Sequence, residues 1–315
     1  MNKMSILLAL SGSEQSYEAA QLAWKLATAA DATVTAQHVV ETKSAWSLLG
    51  NDKPGLVGSG LYIAAYETLC GSLKDIATKL AEKYEHMDGA DRLRSTCIVD
   101  EGDPVHEICS RAKEHDLVVV GHAPTVTKVA GFKKFCKASV AEGLSNYCSK
   151  PLLVVQKRPE PWKSLKILVS IEHLNLEYIL SCLCSAQRLN LKPQLVCLAT
   201  GVHEEKPQNI IRDLRKAHKE LADVEIEVAL FGDFAAQEGS SLWSHQPIRV
   251  ELDAYSDSLV VVPTREIGGK RITIFGSSPE MFIEYLTLPT ILFFPEEVPA
   301  QKTNNSAKAV STSAK

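Results

Sequence analysis

The chain has 315 residues, of which 45% are hydrophobic and 23% charged, fractions that are typical of globular proteins and exclude a wholly disordered chain. The 34 Lys and Arg residues against 38 Asp and Glu residues leave a formal net charge of −4. That balance excludes proteins whose main task is to neutralise nucleic-acid phosphates or an anionic membrane surface.

Targeting and cysteine signals point to the cytoplasm. No stretch reaches the roughly 18 apolar residues that a membrane-spanning helix needs, and the first apolar run, residues 6–10, is too short for a signal-peptide core. The eight cysteines stand singly in apolar segments, without the spacing of metal ligands. We therefore expect a cytoplasmic protein with buried thiols and no bound metal.

The first half alternates short apolar runs with helical periodicity. The predicted strands are residues 6–10, 34–40, 96–99, 117–120 and 152–155. Ser13, Asp103 and Ser139 each precede a helical pattern as N-caps, with Pro104 fitting the first turn after Asp103. A further helix is predicted over 64–84, after a long Gly, Ser and Asn-rich segment, 41–60, that either closes over a ligand or mediates assembly.

The second half repeats the first. Gly131, Ser139 and Pro151 recur as Gly269, Ser277 and Pro289, every pair being offset by 138 residues, and the strand at 117–120 recurs at 259–262. Such a register predicts a tandem duplication. We predict domain 1 over residues 1–157, a linker at 158–164, domain 2 over 165–296 and a disordered tail at 297–315.

Strands that alternate with helices predict the α/β class, here two tandem doubly wound, mainly parallel five-stranded sheets with helices on both faces. Ligands of such sheets bind beyond the carboxyl ends of the strands. In domain 1 this rule groups Ser11, Val40, Gly121 and the loop up to Ser139. In domain 2 it groups Glu172, Pro263 and the loop up to Ser277.

Several motifs together resemble the universal stress protein family in its tandem form, over nearly the whole predicted ordered chain. They are Leu10-Ser11-Gly12-Ser13, Gly102-Asp103-Pro104, Val120-Gly121, Gly131, Ala138-Ser139 and the run from Pro151 to Val155. The resemblance implies the adenine-nucleotide α-hydrolase-like superfold. It also implies a non-catalytic stress-response protein that acts through assembly, partner binding and nucleotide sensing. Weak ATPase activity is compatible with this expectation.

In nucleotide-binding members of this family, an acid after strand one and apolar residues of strand two hold adenosine, while a glycine-rich loop and a Ser or Thr hold phosphates. The resemblance therefore implies a site for ATP or another adenine nucleotide in domain 1. Its candidate residues are Ser11, Val40, Gly121, Lys128, Gly131, Ser139 and Val140. The corresponding candidates in domain 2 are Glu172, Gly276 and Ser277.

Both domains depart from the family pattern. In domain 1, Ser11 replaces the acid and Ala138 replaces the last loop glycine. In domain 2, Pro263 and Glu266 stand at two phosphate-facing glycine positions, where proline removes a donor and glutamate repels phosphate. We predict a degenerate site in domain 2. Structural roles stay open beside these, with Ser139 and Ser277 as helix caps and Gly131 and Gly269 as tight-turn residues.

The resemblance also implies self-association through the fifth strands, residues 152–155 and 290–294, either within the chain or in a homodimer. It further implies an unidentified protein partner, and it implies that neither nucleic acid nor a membrane is a partner.

Two alternative functions remain. Ser11-Gly12-Ser13-Glu14-Gln15-Ser16 is similar to the Ser-Gly-Gly-x-Asp-Ser loop of ATP pyrophosphatases, but lacks the second glycine and the aspartate. The other is a structural partner-binding module whose crevices are filled by side chains.

Overall fold

The structure is a computed structural model that describes residues 3–42, 59–123, 139–158, 161–170, 174–200, 207–231, 255–273, 278–285 and 288–296. Within them, two α/β domains follow each other along the chain. No helix in these ranges is long and apolar enough to cross a membrane.

Domain 1 is a parallel five-stranded sheet of order β3-β2-β1-β4-β5. Its elements are β1 (Ser5–Ala9), α1 (Glu14–Ala30), β2 (Thr33–Glu41), α2 (Ser59–Glu85), α3 (Asp88–Leu93), β3 (Thr96–Gly102), α4 (Pro104–Ala112), β4 (Leu117–Gly121), α5 (Val140–Tyr147) and β5 (Leu152–Val155). The predicted strands and helices are confirmed. The short helix α3 was not predicted.

Domain 2 has the same order of parallel strands, β8-β7-β6-β9-β11, with one antiparallel strand added, β10 against β9. Its elements are β6 (Ser164–Ser170), α6 (Leu176–Arg188), β7 (Lys192–Thr200), α7 (Pro207–Ala217), β8 (Glu225–Phe231), β9 (Ser258–Ile267), β10 (Lys270–Thr273), α8 (Pro279–Tyr285) and β11 (Thr290–Pro295). The fold class is confirmed, although the described residues of domain 2 form six strands instead of five.

Side-chain caps start the helices where the sequence predicts. The Ser13 hydroxyl accepts a hydrogen bond from the first turn of α1, and the Asp103 carboxylate accepts two from α4, whose first residue is Pro104. Ser139 and Glu142 form a reciprocal capping box at the start of α5. These local bonds satisfy amide groups that a helix leaves free at its start.

The two sheets join into one continuous sheet. β5 and β11 pair antiparallel, with Leu153 opposite Leu292 and Val154 opposite Ile291. On one face of this junction α5 packs against α8, and Asn146 Nδ2 donates to Glu280 Oε2 at 2.7 Å. These are the two fifth strands named above for self-association, and here they pair within one chain.

Apolar side chains fill both faces of the sheet. One face is covered by α1 and α6, and its core includes Ile6, Leu153 and Leu259, whereas α4, α5 and α8 cover the other face. The prediction of buried thiols is wrong at Cys184, which is exposed because it lies on a different face of α6 from the buried Cys182. Cys97 and Cys109 are half-buried, and Cys136 lies outside the described residues.

Candidate functional site

The candidate site lies where parallel strands of domain 1 end. β1 ends at Ala9, β2 at Glu41 and β4 at Gly121, so their carboxyl ends meet at one edge of the sheet, beside the first turns of α1 and α5. Val40 is buried at the end of β2. The structure therefore places Ser11, Val40, Gly121, Ser139 and Val140 on elements that reach this edge.

Ser11 follows β1 and is exposed. Its hydroxyl lies 2.9 Å from the Ser13 hydroxyl, and its amide donates to Ser16 Oγ at 2.8 Å. These bonds shape the turn that leads from β1 into α1. Ser11 is uncharged, so it contributes no negative charge to this turn.

Gly121 packs against the backbone of α1. A Cβ on this residue would lie 2.6 Å from the Ser16 amide nitrogen and closer still to the Gln15 carbonyl oxygen. Real Cβ atoms essentially never come within 3.0 Å of a neighbour. Glycine is therefore required here by helix packing, whether or not a phosphate also approaches.

His122 is a crevice residue that the sequence did not single out as a site residue. Only 3% of it is exposed, and its Nδ1 lies 3.1 Å from Ser139 Oγ. Burial lowers the pKa of His122, with the nearby charge of Glu142 acting in the opposite direction. Since Ser139 Oγ already accepts from the Glu142 amide, its proton is free to point at Nδ1 of a neutral imidazole.

The first turn of α5 has amide groups without an acceptor in the helix. The capping box uses the amides of Ser139 and Glu142, through bonds of 2.7 and 3.2 Å. The amides of Val140 and Ala141 have no acceptor inside the helix, because the first turn of a helix lacks preceding carbonyls. Together with the helix dipole, they make this end of α5 favourable for an anion.

Domain 2 replaces the corresponding loop with a β-hairpin. β9 continues to Ile267, turns at Gly268 and Gly269, with φ of 60° and 78°, and returns as β10. The tight-turn role of Gly269 is thereby confirmed. Pro263 is buried inside β9, opposite Phe294 of β11.

Arg271 stabilises this hairpin through a side-chain hydrogen bond. Arg271 of β10 is largely buried, and its Nη1 donates to the buried Thr264 hydroxyl of β9 at 2.8 Å. Glu266 stands opposite Arg271 in the strand pair and is exposed. The residues after the predicted fourth strand of domain 2 therefore form a pair of strands, although the sequence predicts a loop there.

The other predicted site residues lie outside the described residues. In domain 1 these are Lys128 and Gly131, and in domain 2 they are Glu172, Gly276 and Ser277. Their roles stay predictions. Among the residues that are described, no group of three or more His, Cys, Asp or Glu side chains is arranged to hold a metal ion.

A doubly wound α/β domain with a crevice beyond its strand ends is a common binding architecture. Residues 4–156, which span the first domain, match the universal stress protein family. No curated protein matches the chain.

Two solved structures are similar in fold over nearly the whole chain. A universal stress protein from Archaeoglobus fulgidus DSM 4304 is 14% identical, with a TM-score of 0.56, and the match covers 94% of this chain and 99% of that one. A functionally unknown protein from Pseudomonas aeruginosa PAO1 is 13% identical, with a TM-score of 0.54 and coverages of 93% and 92%. At such identities the likeness establishes the fold of the whole chain and nothing about its ligand.

Proposed function

We propose that this protein is a non-catalytic stress-response protein that binds an adenine nucleotide, such as ATP, in domain 1 only. The observation that carries this proposal is the difference between the two domains after the fourth strand. In domain 1 the strand stops at Gly121 and the first turn of α5 has amides without an acceptor in the helix, whereas in domain 2 the strand continues into the β9–β10 hairpin.

Charge supports phosphate binding in domain 1. The start of α5 carries the positive end of its helix dipole, and Lys128, Lys133 and Lys134 lie in the segment that connects β4 to α5. In domain 2, Pro263 lacks an amide proton and Glu266 adds a negative charge on the equivalent segment. The proposal therefore assigns binding to one domain and support to the other.

The Ser139–His122 contact resembles part of a nucleophile–base pair, but its setting favours a structural role. Ser139 Oγ is the N-cap of α5, so its movement would break the cap. A catalytic histidine is normally oriented by a third group. In the described part of domain 1, no side chain or carbonyl bonds the other ring nitrogen of His122.

The first test uses the purified full chain. Nucleotide co-purifying with the protein is extracted and identified, and ATP is then titrated by calorimetry. Gly121→Glu is unsuitable as a blocking variant because its side chain would collide with α1. Gly12→Glu is suitable, since no heavy atom lies within 4 Å of a Cβ at Gly12, and it places a carboxylate beside Ser11.

Gly71→Glu is the matched control. It makes the same charge change on α2, at a glycine that also has no atom within 4 Å of its Cβ position. We expect saturable ATP binding by the wild type and Gly71→Glu, and binding weakened by about tenfold or more in Gly12→Glu, through like-charge repulsion. No bound nucleotide and no heat would reject the proposal, and release of AMP and pyrophosphate would favour the pyrophosphatase alternative.

For assembly, we propose that the fifth strands serve the chain internally. Each of them is already hydrogen-bonded on both sides, β5 between β4 and β11, and β11 between β5 and β9. A strand paired on both sides cannot add another chain. Sedimentation of the full chain should show a monomer, and a dimer that persists at low micromolar concentration would contradict this proposal.

A further inference from the structure

A groove runs over the junction of the two domains, and we call it the seam groove. Its floor is made by side chains of Ile6, Leu117, Leu153, Leu259, Leu292 and Phe294, and its cavity volume is about 980 Å³. Leu153 of β5 and Leu292 of β11 are opposite each other in the antiparallel pair that joins the domains. The floor of the groove is therefore the domain junction itself.

The seam groove exists because helices cover only one face of this junction. α1 packs against β4 and β5, and α6 packs against β6 and β7, so the two helices stand as walls on either side. The carboxyl ends of these helices line the groove, through Leu26 near the end of α1 and Leu189 just after α6. On the opposite face of the sheet, α5 and α8 pack against each other across the same junction.

Three of the four charged side chains in the lining have partners in the protein. Lys3 Nζ lies 2.8 Å from Asp31 Oδ1, and Asp116 Oδ2 accepts a 2.8 Å hydrogen bond from the Ser5 amide. Arg188, in the last turn of α6, is exposed and has no hydrogen bond or ion pair within the described residues. One guanidinium is thus left free at the rim.

The neutral polar side chains of the lining are also satisfied. Trp162 Nε1 donates to Thr290 Oγ1 at 3.0 Å, while the hydroxyls of Thr28 and Ser185 donate to carbonyls one turn earlier in their own helices. The groove therefore offers a ligand an apolar surface and, among the described residues, one charged group without a partner in the protein. A ligand rich in polar groups would lose hydrogen bonds to water without replacing them.

We propose that the seam groove binds a long-chain fatty carboxylate, with the acyl chain on the floor and the carboxylate on Arg188. The cavity volume lies in the range of small-molecule sites, roughly 300–1,000 Å³. The planar guanidinium matches a carboxylate with two parallel hydrogen bonds. An extended peptide fits less well, because the backbone groups of the floor strands are used within the sheet and cannot pair with peptide amides.

This site is separate from the proposed nucleotide crevice. Lys3 and Asp116 immediately precede the amino ends of β1 and β4, whereas Ser11 and Gly121 lie at the carboxyl ends of the same strands. The two sites therefore lie at opposite edges of the sheet. Binding at one is testable without the other, and failure of one proposal leaves the other standing.

The test titrates the full chain with cis-parinaric acid, a fluorescent fatty acid, and with its uncharged methyl ester. We expect saturable binding of the acid at one molecule per chain, and binding of the ester that is weaker by about tenfold, the equivalent of one charge-assisted hydrogen bond. Arg188→Gln should weaken binding of the acid by a similar factor and leave binding of the ester unchanged. Arg212→Gln, an exposed arginine of α7, is the charge control and should match the wild type.

A second variant tests the groove independently of its charge. Ser185→Trp fills the groove from the wall of α6, and Gln187→Trp, an exposed residue of the same helix outside the lining, is its control. Loss of binding in Ser185→Trp alone supports the proposal. Absence of saturable binding, or equal binding by both tryptophan variants, would overturn it. A wild-type dimer that Ser185→Trp dissociates would also overturn it, because a second copy of the chain would then occupy the groove.

Discussion

Replacing Gly121 with alanine tests whether this glycine is required by the packing of α1. The new Cβ would approach the Ser16 amide nitrogen to 2.6 Å, about 0.4 Å closer than real Cβ atoms come to a neighbour, and it would come closer still to Gln15. Both neighbours are backbone atoms in the first turn of α1, so no side-chain rotation relieves the contact. The helix would have to move as a body over a core that contains Ala19 and Ala23.

Overpacking of this kind costs about 1–3 kcal/mol, and we expect the upper end of that range because backbone atoms are involved. The free energy of unfolding is measured by urea denaturation followed by circular dichroism. Gly12→Ala is the control, since it adds the same methyl group one residue after Ser11 with no atom within 4 Å, and it should stay within about 0.5 kcal/mol of the wild type. A Gly121→Ala protein as stable as this control would refute the packing argument.

Three further predictions concern domain 1. Gly143→Ala should destabilise by about 1–2 kcal/mol, because its Cβ would lie 2.5 Å from Val105 Cγ2, and the added change Val105→Ala should recover part of the loss in the same urea assay. The folded-state pKa of His122 is lowered from its ordinary value near 6.5, so the unfolded chain gains this proton at a higher pH than the folded chain does. Thermal unfolding should show stability falling from about pH 7 to about pH 5, less steeply in His122→Asn, and an identical slope would contradict the assignment. Ser139→Ala should lower the free energy of unfolding by about 1 kcal/mol through loss of the cap. Ser139→Asp should keep the cap yet abolish ATP binding in calorimetry, and unaffected binding would show that no phosphate binds at this position.

Local signals in the sequence were sufficient for most elements. Ser13, Asp103 and Ser139 cap helices at the predicted positions because the bonds involved reach only two or three residues along the chain. The helix α3 was missed because it has six residues and its N-cap, Met87, forms no side-chain bond to the helix. A short helix without a capping residue has too few local signals to be predicted from the sequence.

The β9–β10 hairpin shows how a local signal is outweighed by a resemblance. Gly268-Gly269 between two short runs is a typical hairpin pattern. The match of this segment to the predicted phosphate loop of domain 1 favours a loop instead. In the structure Arg271 donates a hydrogen bond to Thr264, seven residues away, across the two strands, so a strand pair forms where the sequence predicts a loop.

The sequence alone was sufficient to predict the α/β class, most of the helices and strands, and the resemblance of the first domain to universal stress proteins. These features depend on periodicity, capping and motifs, which involve neighbouring or regularly spaced residues. The tertiary structure decided that Gly121 contacts Gln15, that His122 meets Ser139, and that β5 and β11 join the domains over an apolar groove. These contacts join residues 17, 106 or more than 130 positions apart. No local pattern specifies such pairs, since they depend on how the helices and strands pack.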